Sequence, residues 1–160
     1  MTLPRIAISG HRGLTAFTAA LVDQAIRVAL KGHSGTITGL SNLADGADQI
    51  FARAILDAGG TLEAFIAADD YRAGLPRQAH REYDDLLARA SAVHELPFSE
   101  STPESYMAAS QLMIDSADEL FAVWDGQPAR GYGGTADVIA YARHRNLPIR
   151  LIWPSGSHRA

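Results

Sequence analysis

Short apolar segments alternate with amphipathic segments along the whole 160-residue chain, and this alternation constrains the fold more than any other feature. The apolar segments have the length of strands but show no polar residue at every second position. Strands of that kind are covered on both faces. Strands that alternate with helices form parallel sheets with helical crossovers. The sequence therefore predicts an α/β fold built on a doubly wound, mainly parallel sheet with helices on both faces.

The pattern divides the chain into six predicted strands and five predicted helices. We expect strands at residues 6–9, 35–38, 62–67, 93–96, 120–124 and 149–153. We expect helices after a Thr15 cap and at 47–58, 77–90, 103–117 and 135–145. One domain, residues 1–154, accounts for all of these elements, and residues 155–160 form a short polar tail.

Composition excludes several function classes. There is no cysteine, which excludes disulfide scaffolds, thiol catalysis and cysteine-based metal sites, and the six histidines show no metal-ligand spacing. The net charge of −4 argues against strong nonspecific binding of nucleic acid. No apolar run approaches the roughly 18 residues that span a membrane, and the first residues lack a signal-peptide pattern. We expect a cytoplasmic protein without a metal, a membrane partner or an identified cofactor.

Three glycine-rich loops follow predicted strands, and they hold all the candidate site residues. In an open parallel sheet, ligands bind beyond the carboxyl ends of the strands, where the strand order reverses. The candidates in the first loop are Gly10, His11, Arg12 and Gly13. Those in the second loop are Gly39, Asp45, Gly46 and Asp48. Those in the third loop are Asp125, Arg130, Gly131, Gly133, Gly134, Thr135 and Asp137.

The third loop predicts the best phosphate site. Gly133 and Gly134 let the backbone approach a phosphate, and Thr135 opens a helix whose first N–H groups lack partners. Arg12 and Arg130 stand within glycine loops and are the expected phosphate ligands, unless they are surface arginines.

The acids at this edge have two possible roles. Asp45, Asp48 or Asp125 could hold a ribose or a base, and an acid at a helix start can also be only a cap. The chain lacks both G-x-G-x-x-G after the first strand and G-x-x-x-x-G-K-[ST], which disfavours a standard dinucleotide fold and a P-loop NTPase.

The stretch MIDSADELFAVWDGQPARGYGGTAD, residues 113–137, resembles the core of the SLOG superfamily. That group includes LOG-type phosphoribohydrolases, molybdenum cofactor carrier proteins and the Rossmann-like domain of DNA-processing protein A. The segments ISGHRG and TGLSNLADGAD resemble the other ligand loops of the superfamily. The resemblance implies a Rossmann-like domain that binds a nucleotide or a nucleotide derivative, often as a homodimer.

The chain departs from the LOG-type pattern at both catalytic positions. The family's motif P-G-G-x-G-T-x-x-E ends in a catalytic Glu, whereas Val138 stands three residues after Thr135. The catalytic Arg belongs four residues before Met113, where this chain has Ala109. Asp137 lies one position early, and one residue turns a helical side chain by about 100°. Nucleoside deoxyribosyltransferases are similar in outline and place a nucleophilic Glu near the position of Asp137.

We therefore expect binding or sensing of a nucleotide-type small molecule at these loops. The alternative is an N-glycosidic hydrolase or transferase acting on nucleoside monophosphates, with Asp137 as its only candidate acid. The helix at 103–117 carries more apolar residues than one buried stripe requires, among them Met107 and Ile114. This surplus predicts a homodimer in which the helix lies in or beside the interface, unless the helix is sandwiched within one chain.

Overall fold

A computed structural model describes residues 4–33, 35–129 and 131–159 as an α/β fold. Six strands are present, β1 Arg5–Gly10, β2 Thr38–Ser41, β3 Thr61–Ile66, β4 Ala92–Glu95, β5 Glu119–Val123 and β6 Ile149–Ile152. The α-helices are α1 Ala16–Lys31, α2 Ala47–Asp57, α3 His80–Arg89, α4 Pro103–Asp115 and α5 Thr135–His144, and two 3₁₀ turns, Arg72–Gly74 and Arg77–Ala79, precede α3. The predicted doubly wound fold is confirmed.

The sheet is parallel throughout, in the order β4-β3-β2-β1-β5-β6. From β1 the chain builds outward through β2 and β3 to β4, and then crosses back to add β5 on the other side of β1. The strand order therefore reverses between β1 and β5. Loops that leave the two strands at a reversal diverge and open a crevice.

Alternating residues of each central strand face two separate helical layers. Ile6 and Ile8 of β1 lie in one core with α1 and α2, whereas Ala7 lies in a second core with α4 and α5. The helix α3 packs against residues of β3 beside α2. Because both faces are covered, the strands need no polar face, which explains the continuous apolar segments of the sequence.

Strand β2 lies three residues later than predicted. The prediction placed it at 35–38, whereas it runs from Thr38 to Ser41 and includes Gly39. A Cβ on Gly39 would lie 2.6 Å from Cγ1 of Ile55 and 3.0 Å from Cε2 of Phe51. Gly39 is therefore a packing residue between β2 and α2, and its prediction as a ligand-loop residue is wrong.

The apolar surplus of α4 is buried within the chain. Met107 is 5% exposed and Ile114 is 2% exposed, and both pack in the core that α4 forms with α5. The premise that this face lies open on a monomer is wrong, because α4 packs against both the sheet and the neighbouring helix α5. The predicted homodimer consequently has no support from this helix.

The tail folds back on the domain. The N–H of His158 donates a hydrogen bond to Oγ1 of Thr18, at 3.0 Å. Beyond it, a guanidinium nitrogen of Arg159 lies 3.7 Å from the carboxylate of Asp125, just after β5. The tail thus brings a cation to the carboxyl edge of the sheet.

The substitution Gly39→Val tests the packing role of this glycine. Because the added side chain would overlap Ile55 and Phe51, we expect a loss of about 1–3 kcal/mol in the free energy of unfolding. Urea unfolding followed by circular dichroism measures it. Gly74→Ala is the matched control, because a Cβ there meets nothing within 4 Å. Equal stability of Gly39→Val and wild type would contradict the packing role.

Candidate functional site

A cavity of about 540 Å³ lies at the carboxyl edge of the sheet, where the strand order reverses. The end of β1, the segment after β3, the start of α4, the loop before α5 and the tail residue Arg159 form its walls. In this fold the helices begin at the carboxyl edge, so α4 and α5 both present their N-termini here. A cavity of this size can hold a small molecule.

The two helix N-termini differ in how they are capped. In α4, Oγ1 of Thr102 accepts the N–H of Ser105 at 3.0 Å, and Oγ of Ser105 accepts the N–H of Thr102 at 2.9 Å. In α5 the cap residue is Gly134, and no side chain caps the helix. Within the described chain, the N–H groups of Thr135 and Ala136 donate no hydrogen bond to protein. They are available to an anion, and the helix dipole favours one.

The glycines before α5 allow close packing around the cavity. Gly133 has a φ of +87°, and a Cβ on it would lie 3.0 Å from the carbonyl oxygen of Pro103 at the start of α4. A Cβ on Gly134 would lie 2.9 Å from Cβ of Ala129, whereas one on Gly131 would meet nothing within 4 Å. Side chains at 133 and 134 would therefore displace the loop.

Asp137 stabilises the loop before α5 through a hydrogen bond. Its Oδ2 accepts the N–H of Gly133 at 2.9 Å, which stabilises the turn into α5. Asp137 does not line the cavity, so the structure places it in support of the loop and not at the predicted ligand contact.

His11 joins the loops after β1 and β5. The residue is 5% exposed, and its Nε2 accepts the N–H of Asp125 at 3.0 Å. The ring meets Trp153 edge-on with 5.4 Å between ring centroids. The carbonyl oxygen of His11 accepts the N–H of Ala47 at 3.2 Å, which also ties the start of α2 to this loop.

Asp125 supports the site from behind the cavity. Burial works against its ionisation, but the N–H of Gln127, together with His11 and Arg159, lowers the pKa below its ordinary value. Asp125 is thus a carboxylate at neutral pH. It does not line the cavity, so the predicted contact with a ribose or base is not supported by the geometry.

Arg12 lines the cavity and is oriented by Asp45. The guanidinium Nε donates to Oδ1 of Asp45 at 2.8 Å, and the N–H of Gly13 donates to Oδ2 at 3.0 Å. The side chain of Arg12 remains 47% exposed, whereas that of Asp45 is 14% exposed. A Cβ on Gly46 would lie 2.5 Å from the carbonyl oxygen of His11, so the loops after β1 and β2 meet at this glycine.

Asp48 lies below the cavity and not in its wall. The residue is 1% exposed, and its Oδ2 accepts the N–H of Ala44 at 3.3 Å. Its Oδ1 is buried and has no partner among the described residues. Burial raises the pKa of Asp48 to about 7, although the Ala44 N–H and Arg12 oppose the rise. The geometry does not support the predicted ligand contact of Asp48, since its place in the first turn of α2 turns the side chain inward.

The structure thus divides the predicted site residues into two groups. Seven of them line the cavity, namely Gly10, His11, Arg12, Gly131, Gly133, Gly134 and Thr135. A second set supports the cavity from behind, namely Gly13, Asp45, Gly46, Asp48, Asp125 and Asp137. Arg130 lies outside the described residues.

Sequence reasoning missed the tyrosines and the tail arginine. Tyr71 and Tyr106 line the cavity, as do Tyr132 and Arg159. Tyr71 is 5% exposed, its hydroxyl has no partner in the described part of the chain, and burial raises its pKa. A usable signal was present, because Tyr71 follows the carboxyl end of the third strand just as the glycine loops follow theirs.

The described residues form neither a membrane-spanning helix nor a cluster of metal-ligating side chains. No described helix has the length and apolar character needed to cross a membrane. No group of three or more metal-ligating side chains occurs in residues 4–33, 35–129 and 131–159.

Neither a family model nor a curated protein matches the chain, but solved structures do. DNA processing protein A from Streptococcus pneumoniae aligns with a TM-score of 0.69 at 19% identity, over 96% of this chain and 52% of that one. The same protein from Helicobacter pylori, described by its single-stranded DNA binding mode, aligns with a TM-score of 0.70 at 17% identity. This alignment covers 99% of this chain and 69% of that one. The molybdenum cofactor binding protein of Rippkaea orientalis aligns with a TM-score of 0.63 at 16% identity. This alignment covers 97% of this chain and 79% of that one.

These similarities concern the fold. The chain has the Rossmann-like fold that these proteins share. It spans about half the length of the Streptococcus pneumoniae protein, with 52% of that chain covered.

The buried Asp48 predicts a pH dependence of stability. Its pKa is raised in the folded state, so the folded chain binds more protons than the unfolded chain between about pH 4 and pH 7. This group therefore lowers the free energy of unfolding as the pH rises through that range, by at most about 1.4 kcal/mol per pH unit. Above pH 7 its contribution is constant.

Unfolding of wild type and Asp48→Asn from pH 4 to pH 9 measures this contribution. The stability difference between the variant and wild type should grow in favour of the variant up to about pH 7 and then level off. Asp57→Asn, at an exposed carboxylate, is the control. A difference that stays constant over the whole range would contradict an ionisable Asp48.

Proposed function

We propose that the cavity binds an anionic small molecule, a nucleotide or a nucleotide derivative, with its phosphate at the start of α5. One observation carries the proposal: unpaired N–H groups of α5 and two arginines border the same cavity at the reversal of strand order. Each feature is common alone. Their convergence on one cavity favours an anion.

The phosphate would meet a preorganised surface. The N–H groups of Thr135 and Ala136 are fixed by α5, and the hydroxyl of Thr135 adds a donor. Arg12 is already held by Asp45, so little side-chain entropy is lost when it binds. Arg159 is held near Asp125 by the folded tail. Arg130 belongs to the same proposal by its position in the sequence.

The remainder of the cavity suits a nucleoside-like group. Tyr132 is 57% exposed beside the phosphate loop, and its ring offers a stacking surface for a base. Tyr71, Tyr106 and Leu75 form the opposite, more apolar wall. Asp45, which accepts a hydrogen bond from Nε of Arg12, would set the orientation of that arginine and not contact the ligand itself.

The similar structures agree with a binding role. One is described as binding the molybdenum cofactor and another as binding single-stranded DNA. The net charge of −4 favours a small molecule over nucleic acid for this chain.

Catalysis on a glycosidic bond is not part of the proposal. Ala109 is 0% exposed and Val138 is 1% exposed, and both are core residues at the positions where the LOG-type pattern has its catalytic pair. The carboxylate of Asp137 accepts the N–H of Gly133 and does not face the cavity. No described acid stands in the cavity wall.

Calorimetry with adenosine monophosphate and adenosine tests the phosphate site. We expect the monophosphate to bind wild type at least about tenfold more tightly than adenosine, since a charge-assisted contact is worth roughly 1.5–3 kcal/mol. Gly134→Val should remove this preference, because the new side chain would displace the loop from α5. Gly32→Ala, at the other edge of the sheet, is the control with a comparable change.

Two results would count against the site. Equal affinities of wild type for the two compounds would exclude the phosphate contact. Unchanged affinity of a well-folded Gly134→Val would remove the loop before α5 from it.

Incubation with adenosine monophosphate separates binding from catalysis. We expect no release of free adenine over hours, measured by liquid chromatography, because the described residues of the cavity wall include no acid. Turnover in the ordinary enzyme range of about 1–1,000 per second would contradict the binding role. The variant Asp137→Asn would then show whether Asp137 is the acid.

A further inference from the structure

We propose that Asp48 takes up a proton when an anion binds in the cavity, so that the affinity for the anion rises as the pH falls through neutrality. This inference rests on the proposed function, since it concerns the regulation of the same site. It assigns a role to a buried carboxyl group that neither the phosphate contacts nor the stacking surface uses.

Asp48 lies in a closed cluster of ionisable groups under the cavity. Arg12 faces it from the loop after β1 and Asp45 from its own loop, and their charges act on it with opposite signs. Tyr71, from the segment after β3, and Tyr106, from α4, complete the cluster. Both tyrosines stay neutral at physiological pH because burial raises their pKa.

The charges of this cluster do not balance. Arg12 is the single cation acting on Asp48 among the described residues. The same guanidinium also donates a hydrogen bond to Asp45, so one positive charge faces two carboxyl groups. An anion bound by Arg12 would add a third negative charge beside the same guanidinium. Like charges in a poorly solvated site cannot all remain ionised, so the least stabilised group takes a proton.

Asp48 is that least stabilised group. Asp45 accepts hydrogen bonds from Nε of Arg12 at 2.8 Å and from the N–H of Gly13 at 3.0 Å. The carboxyl group of Asp48 accepts one bond among the described residues, from the N–H of Ala44 at 3.3 Å, and its Oδ1 has no partner there. A buried oxygen without a partner costs more when it is charged than when it is neutral. The pKa of Asp48, about 7 without a ligand, would rise further on binding.

Calorimetry at pH 7.5 in two buffers of different ionisation enthalpy measures the protons taken up. The probe is adenosine monophosphate, and the proteins are wild type, Asp48→Asn and Asp57→Asn. The phosphate itself titrates near pH 6 and other groups of the site also contribute, so the difference between wild type and Asp48→Asn isolates Asp48. We expect wild type and Asp57→Asn to take up a larger fraction of a proton than Asp48→Asn.

Affinity provides the second readout. Between pH 6 and pH 9 the dissociation constant of wild type should increase relative to that of Asp48→Asn, by about tenfold for each pH unit by which binding raises the Asp48 pKa. Equal proton uptake and parallel pH profiles would overturn the inference and leave the proposed function standing. Failure of wild type to bind the probe at all would overturn both.

A measurement on wild type alone covers the case in which Asp48→Asn does not fold. Carbon-detected NMR follows the carboxyl group of Asp48 through a pH titration with and without the monophosphate. The midpoint should move to higher pH when the probe is bound. An unchanged midpoint in a sample saturated with the probe would overturn the inference.

Discussion

The close approach of three chain segments at Gly10 is the constraint on which the site depends. Strand β1 is paired on both sides, with β2 and with β5, and it ends where α2 begins. A Cβ on Gly10 would lie 2.5 Å from that of Ala47 and 2.7 Å from that of Val123. Only a residue without a side chain lets α2 and β5 pass this closely. The geometry of both cavity-bordering loops follows from that contact, because His11 then reaches Asp125 and Ala47.

Buried hydrogen bonds fix the loop between β2 and α2 and the residues on either side of it. Ser41, Asn42 and Gln49 are buried, and each donates a hydrogen bond to a backbone carbonyl group. Leu43 has a φ of +59°, a conformation that a bulky residue adopts only when its surroundings impose it. Such a loop holds Asp45 against Arg12 without a flexible hinge. The buried polar structure of this segment thus ends in the placement of one cation, Arg12.

The fold could be predicted from the sequence because it is set by local patterns, whereas the site depends on distant segments. Apolar segments gave five of the six strands within a residue or two, and β2 was misplaced because Gly39 looks like a loop residue unless its contact with Ile55 is known. Arg12 and four of the predicted glycines, Gly10, Gly131, Gly133 and Gly134, do line the cavity. Arg159 could not be predicted, because only the folded chain brings the tail to the carboxyl edge of the sheet.

The small residues at 109 and 138 also bear on what could be built from this chain. Ala109 and Val138 are buried among apolar side chains where α4 and α5 pack against the sheet. Placing an arginine and a glutamate there would bury two charges in space that is already filled. Engineering a glycosidase on this scaffold would therefore first require a redesign of the interior. Introducing the two side chains alone would destabilise the fold without creating an active site.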